Sequence, residues 1–203
     1  MSDDRPTVFV VDDDVSVRQS LGLLIESAGW QPETFASGPE FLARPRSVAP
    51  SCLVLDLVMP NLNGCDLQTL VADRADMPII FISGHADVPI TVRAMKAGAV
   101  DFFTKPFVDD VLLSTIRNAI GRSAAVLRDA EYMRVLRARY ASLSHREREV
   151  MALVVAGRLN KQAGGELGIS EITVKAHRGQ VMRKMRAESL PDLVYMAARI
   201  RQD

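Results

Sequence analysis

Residues 8–21 read VFVVDDDVSVRQSL. A short apolar run ends in three consecutive carboxylates, Asp12, Asp13 and Asp14, and the chain then passes straight into a segment of helical period. The same alternation recurs along the chain. TVFVV, CLVLDL, PIIFIS and VDFFTK read as buried strands and the weaker QPETFA as another, five in all. Between them Val17, Leu21, Leu24, Ile25 and Ala28 fall at helical spacings, as do Val92, Met95 and Ala99 in DVPITVRAMKAGAV. Strand alternating with helix predicts an α/β unit, a doubly wound parallel sheet with helices on both faces. In such sheets ligands bind beyond the carboxyl ends of the strands.

That rule gathers the polar residues on one rim. Asp12 and Asp13 follow the first strand, Asp56 lies near the end of LVLD, Ser83 ends IIFIS, and Lys105 follows DFFT. Like charges crowded together disfavour one another, more so when partly buried, so a cation belongs among them. Mg²⁺ suits, because it needs only one or two carboxylates and keeps waters for an incoming phosphate. Asp56 can then attack a phosphoryl group as a carboxylate nucleophile and form an acyl phosphate. Lys105 would offset charge on the phosphoryl oxygens and the Ser83 hydroxyl would hydrogen-bond one of them. The plainer reading is that the aspartates cap a helix beginning near Ser16, where negative charge is favourable, and Asp14 can do that alone.

The formal net charge of zero conceals a division. Residues 1–121 carry 16 acidic against 9 basic side chains and residues 122–203 carry 9 against 16, so the two parts stand at −7 and +7. An acidic unit is joined to one suited to a polyanion. The apolar fraction of 48% is ordinary for a globular chain. No run approaches a membrane span and MSDDRPTV lacks the apolar region of a secretory signal, so a cytoplasmic protein without a membrane partner is expected. Cys52 and Cys65 have no metal-ligand spacing and read as packing residues.

Residues 122–140, in GRSAAVLRDAEYMRVLRARY, either prolong the preceding helix or form a linker helix. Beyond them the pattern is all helical, with four short helices. SHREREVMALVVAG has Ser144 as its N-cap and Gly157 as its stop; NKQAGGELG follows; SEITVKAHRGQVMRKM starts at the cap Ser170; SLPDLVYMAARI is last. On the third, Lys175, Arg178 and Met182 share one side, while Ile172, Val174, Val181 and Met185 supply apolar positions. Gly164 and Gly165 should each cost the second helix roughly 1 kcal/mol relative to alanine, which predicts a short or frayed element.

VVDDD, LVLDLVMPNLNG, ISGH and AMKAGAVDFFTKPF resemble the receiver domain of bacterial two-component response regulators, a flavodoxin-like fold. LSHREREVMALVVAGRLNKQ and LGISEITVKAHRGQVMRKM resemble the LuxR-type helix-turn-helix domain, and the whole chain resembles a FixJ-type regulator of the NarL/FixJ subfamily. The resemblance implies a receiver over residues 6–121, a linker helix over 122–140 and a DNA-binding domain over 141–203. It implies that a sensor histidine kinase phosphorylates Asp56, and that Asp13, Asp56 and the backbone carbonyl of Val58 bind Mg²⁺, with Asp12 acting through water. Ser83 and Phe102 would form a switch pair, and Lys105 would precede a cis peptide at Pro106.

In the helical domain the resemblance places Lys175, Ala176 and Gly179 toward bases. Thr173, His177 and Arg178, with Asn160 and Lys161 from the preceding helix, would make phosphate or mixed contacts with double-stranded promoter DNA. Phosphorylation would promote a homodimer through residues 88–98 and 101–104, with Leu190, Leu193, Val194 and Ala197 of the last helix as a second contact. The expected function is a phosphorylation-switched transcription regulator, not an enzyme. The competing readings are a phosphatase or phosphotransferase that works through an aspartyl phosphate, with an accessory helical domain, and a regulator whose output is protein binding.

Overall fold

The computed structural model describes residues 5–60, 62–84 and 87–201. Its elements follow in the order β1 (Thr7–Val11), α1 (Val15–Ser27), β2 (Gln31–Phe35), α2 (Gly38–Leu42), β3 (Ser51–Asp56), α3 (Gly64–Leu70), β4 (Ile79–Ser83), α4 (Val88–Lys96), β5 (Asp101–Thr104) and α5 (Asp109–Ala141). After these come α6 (His145–Val155), α7 (Asn160–Leu167), α8 (Glu171–Met185) and α9 (Leu190–Arg201). The chain divides into two compact units at Arg128 and Asp129, inside α5. Residues 122–140 therefore prolong the preceding helix. Among the described residues no helix is long and apolar enough to cross a membrane.

The five strands are all parallel, in the order β2-β1-β3-β4-β5. Strand side chains alternate between faces, so each strand feeds two cores. Phe9, Val11, Leu53, Leu55 and Phe81 pack with Phe41, Leu67 and Ala94 from α2, α3 and α4. Val8, Val10, Cys52, Val54, Ile80 and Ile82 pack on the opposite face with Leu21 and Ile25 of α1 and Leu112 and Ile116 of α5. Both cysteines are buried and unpaired, and burial pushes the Cys52 thiol up to about 12. The strand order doubles back at β1 and β3, the switch point beside which doubly wound sheets place their ligands.

Helix α4 keeps much of its apolar surface outside the core. Val92 and Met95 do not face the core; with Val88 they form an exposed stripe at steps of four and three, and Ala94 packs inward instead. The small side chain lets the helix lie close, and buried Gln68 donates from Nε2 to the Ala94 carbonyl at 3.1 Å.

In the second unit Met133 and Leu136 from the end of α5 join Leu143, Met151, Val181, Met185, Leu193 and Ala197 in one core. Val150, Val154, Ala163 and Val174 form a second. Leu193 and Ala197 are thus spent on the interior of their own unit, which removes these two from the expected second dimer contact; Leu190 packs partly against the second core and Val194 stays exposed. The glycine pair does not fray α7, which runs unbroken from Asn160 to Leu167 and ends on the left-handed Gly168.

Candidate functional site

The rim is built by strand ends. Asp12 and Asp13 follow β1, Asp56 and Ser83 are the last residues of β3 and β4, and Lys105 follows β5. Asp56 pairs in register with Ile82, so Ser83 stands one residue further out on the neighbouring strand. The Lys105 amide donates to the Ser83 carbonyl at 2.7 Å, and the Lys105–Pro106 peptide is cis, as the resemblance implied.

Asp12 is wholly buried and tied on every side. Its Oδ2 accepts from Lys105 Nζ at 2.7 Å, its Oδ1 from the Asp14 amide at 2.9 Å, and its carbonyl from the Arg18 guanidinium at 2.7 Å. Asp13 is exposed beside it. Asp14 caps α1, accepting from the amides of Ser16 and Val17, so the capping reading holds for this residue.

Asp56 is different. It is 6% exposed, its Oδ2 lies 3.5 Å from Lys105 Nζ, and its Oδ1 is buried without a hydrogen-bond partner among the described residues. Burial holds its pKa above the ordinary carboxylate range, and the charge of Asp12 adds to this; Lys105 and the Val58 amide oppose it. Carboxylate oxygens of Asp12, Asp13 and Asp56 all lie within 4.8 Å of one another. Oxygen donors, three negative charges and one unsatisfied buried oxygen are what a hard divalent cation fits. Ser83 is fully buried, and the half-buried Phe102 ring sits 6.5 Å from that of Phe81.

Two supporting residues escaped the sequence reading. Arg18 anchors the backbone of Asp12. Gly64 allows the chain to fold back over β3: a Cβ there would stand 2.5 Å from the Asp56 carbonyl oxygen and 2.8 Å from the Phe81 ring. Only its place in the stretch LVLDLVMPNLNG could have marked it.

In the helical unit Ser144 and Glu147 cap α6 reciprocally, and Glu147 also accepts from Lys184 Nζ of α8 at 2.7 Å. That bond holds the Glu147 carboxyl below the usual carboxylate range. Helix α8 begins at Ser170, whose Oγ accepts from the Thr173 amide at 3.1 Å and lies 2.8 Å from the Thr173 hydroxyl. Val174, Val181 and Met185 face inward. Met182, expected beside Lys175 and Arg178, is partly buried against the core, and Ile172, expected among the apolar positions, is 80% exposed.

The outward candidates Lys175, Ala176 and Gly179 are all exposed, and Lys175 pairs with Glu171 at 3.1 Å. Arg178 is half-buried and donates to Asn160 Oδ1 of α7 at 3.2 Å; Lys161 is exposed, and His177 and Thr173 are half-buried. Helices α7 and α8 therefore present a joint polar face. A helix-turn-helix uses such a face on DNA, the second helix in the major groove and the first across the backbone.

The family described as response regulator receiver domain matches residues 8–117, and that of the bacterial regulatory proteins of the luxR family matches residues 141–197. The response regulator protein TmoT of Ectopseudomonas mendocina is 44% identical over 202 residues, 99% of this chain and 92% of that protein. The transcriptional regulatory protein FixJ of Rhizobium meliloti is 44% identical over 192 residues, 94% of each. The solved structure of the response regulator StyR superposes with a TM-score of 0.88 at 44% identity, covering 96% of this chain and 99% of that one. With a carboxylate rim on a doubly wound sheet and, later in the chain, a helix-turn-helix, this chain belongs to the DNA-binding response regulators of two-component systems, which join a receiver domain to a LuxR-type domain.

Proposed function

We propose that Asp56 is the phosphoacceptor and that its phosphorylation switches DNA binding by the helical unit. The observation that carries this reading is the buried, unpartnered Oδ1 of Asp56 in reach of Lys105. An Asp56 carboxylate oxygen attacks the phosphorus of a phosphohistidine on a sensor kinase. The new P–O bond forms as the P–N bond breaks, and the electron pair stays on the imidazole, which takes up a proton. Lys105 offsets the charge of the transferring group. Ser83 hydrogen-bonds a phosphoryl oxygen, and Phe102 turns inward behind it. Asp13, Asp56 and the carbonyl of Val58, with Asp12 through water, would hold Mg²⁺, which when bound supplies positive charge against the phosphoryl oxygens.

The output is binding to promoter DNA in the cytoplasm by a homodimer whose formation phosphorylation favours; the chain acts as a regulator rather than as an enzyme with a substrate of its own. Lys175, Ala176 and Gly179 face bases, and Asn160, Lys161, Thr173, His177 and Arg178 face the backbone or share both. The full chain, incubated with Mg²⁺ and a small-molecule phosphodonor, is trapped with borohydride and mapped by mass spectrometry. The adduct is expected at Asp56 alone and only with the metal. Label at another residue, or undiminished label in Asp56→Asn, rejects the assignment.

A further inference from the structure

Ile172 is the most exposed of the large apolar side chains described in the helical unit, at 80%. A single exposed isoleucine carries no meaning by itself. Its place does. Residues 172, 175, 176 and 179 stand at steps of three, four and seven, so Ile172 lies on the same side of α8 as Lys175, Ala176 and Gly179, one turn nearer the helix start. The inward side of α8 is already filled by Val174, Val181 and Met185.

Along this outward stripe Ala176 is small, Gly179 has no side chain, and a Cβ at Gly179 would meet nothing within 4 Å. Ile172 is its largest apolar group, and it sits in the first turn, which the Ser170 cap fixes to Thr173. The first turn of a recognition helix is the part that reaches base edges. The one apolar feature of the major groove is the C5-methyl group of thymine.

We propose that Ile172 is a specificity-determining residue that reads a thymine methyl group in the major groove. The inference rests on the reading of α8 as the recognition helix. An apolar side chain held against that methyl removes both from water, and on a cytosine or a guanine edge it would cover polar atoms without bonding them. The contact adds a preference that the lysine of the same stripe cannot supply.

The test uses the full-length phosphodonor-treated chain and a duplex it selects from a random library. Each thymine of that duplex is replaced in turn by deoxyuridine, which lacks only the methyl group. At one position the replacement should weaken binding by the unchanged protein roughly fourfold. Ile172→Ser should bind the thymine duplex more weakly and lose its discrimination between thymine and deoxyuridine there, whereas Ile172→Val should keep it. If no deoxyuridine weakens binding, or if Ile172→Ser still discriminates at every position, the inference is wrong while the DNA-binding function stands. If the unchanged protein selects no duplex at all, the recognition-helix reading falls and the inference with it. Unaltered DNA binding by Ile172→Ser accompanied by a changed oligomeric state would assign the side chain to a protein contact and overturn the proposal.

Discussion

At the residue scale the decisive balance is around Asp56. Lys105 lies nearer to Asp12 than to Asp56, 2.7 Å against 3.5 Å, so it neutralises Asp12 more fully than Asp56. Burial and Asp12 then leave the Asp56 carboxyl with a raised pKa. A group whose folded pKa exceeds its unfolded one keeps its proton in the folded state after the unfolded chain has lost it. Its contribution to stability is therefore present at low pH and is lost as pH rises from the ordinary carboxylate range through the raised value. Asp56→Asn removes that loss. In chelator at neutral pH the variant should withstand more urea than the parent, and the difference should vanish in acid; a variant less stable at neutral pH would contradict this. Mg²⁺ should raise the stability of the parent and leave Asp56→Asn nearly unchanged, since only binding to the folded state shifts the equilibrium. The rim was legible because strand ends follow from short continuous apolar runs, which place Asp56, Ser83 and Lys105 without any knowledge of contacts. Gly64 was not, because the need for a glycine depends on what faces its missing Cβ, here the backbone of Asp56.

At the element scale α7 separates propensity from packing. Gly164 and Gly165 look alike in sequence, yet a Cβ at Gly164 would stand 2.8 Å from the Ile169 carbonyl oxygen, in the turn before α8, while one at Gly165 meets nothing within 4 Å. Gly165→Ala should stabilise the protein by up to about 1 kcal/mol in urea melts. Gly164→Ala should destabilise it despite the same gain in propensity, because backbone has to move; equal stabilisation by both would refute the close approach. The proposed function gives different roles to Lys161 of α7 and Lys175 of α8. Lys175→Ala should relax sequence choice by roughly 1–3 kcal/mol at one base pair, whereas Lys161→Ala should weaken selected and scrambled sites alike and reduce the salt slope by about one. Salt titrations of both variants on both duplexes check this, and an equal loss on both duplexes for Lys175→Ala would remove it from the base-reading group. The helices themselves were readable from caps and period. Their buried faces were less so: α4 carries apolar residues on two sides, and only the sheet decides that Ala94 goes in and Val92 and Met95 stay out. On α9 the reverse holds, because Leu193 and Ala197 were assigned outward without the core that claims them.

At the scale of the whole molecule, a −7 receiver part and a +7 helical part divide the work of accepting a phosphoryl group and meeting a polyanion. Val88, Val92 and Met95 form an exposed stripe on α4, and under the proposed function this stripe meets a second copy. Allosteric couplings of ~1–3 kcal/mol are typical, so phosphorylation should tighten the dimer roughly 5–150-fold in sedimentation equilibrium of the full chain. Val92→Asp should abolish the gain, and a dimer constant indifferent to the phosphodonor would reject the coupling. In the proposed function one carboxylate, that of Asp56, controls the DNA-binding unit. The most direct test of this control is the affinity of the full chain for a duplex selected from a random library, measured with Mg²⁺, with and without phosphodonor, for the parent and for Asp56→Asn. A gain within that same rough 5–150-fold range is expected in the parent and none in the variant. An equal gain in Asp56→Asn, or no gain in a parent shown to carry the phosphoryl group, would contradict it.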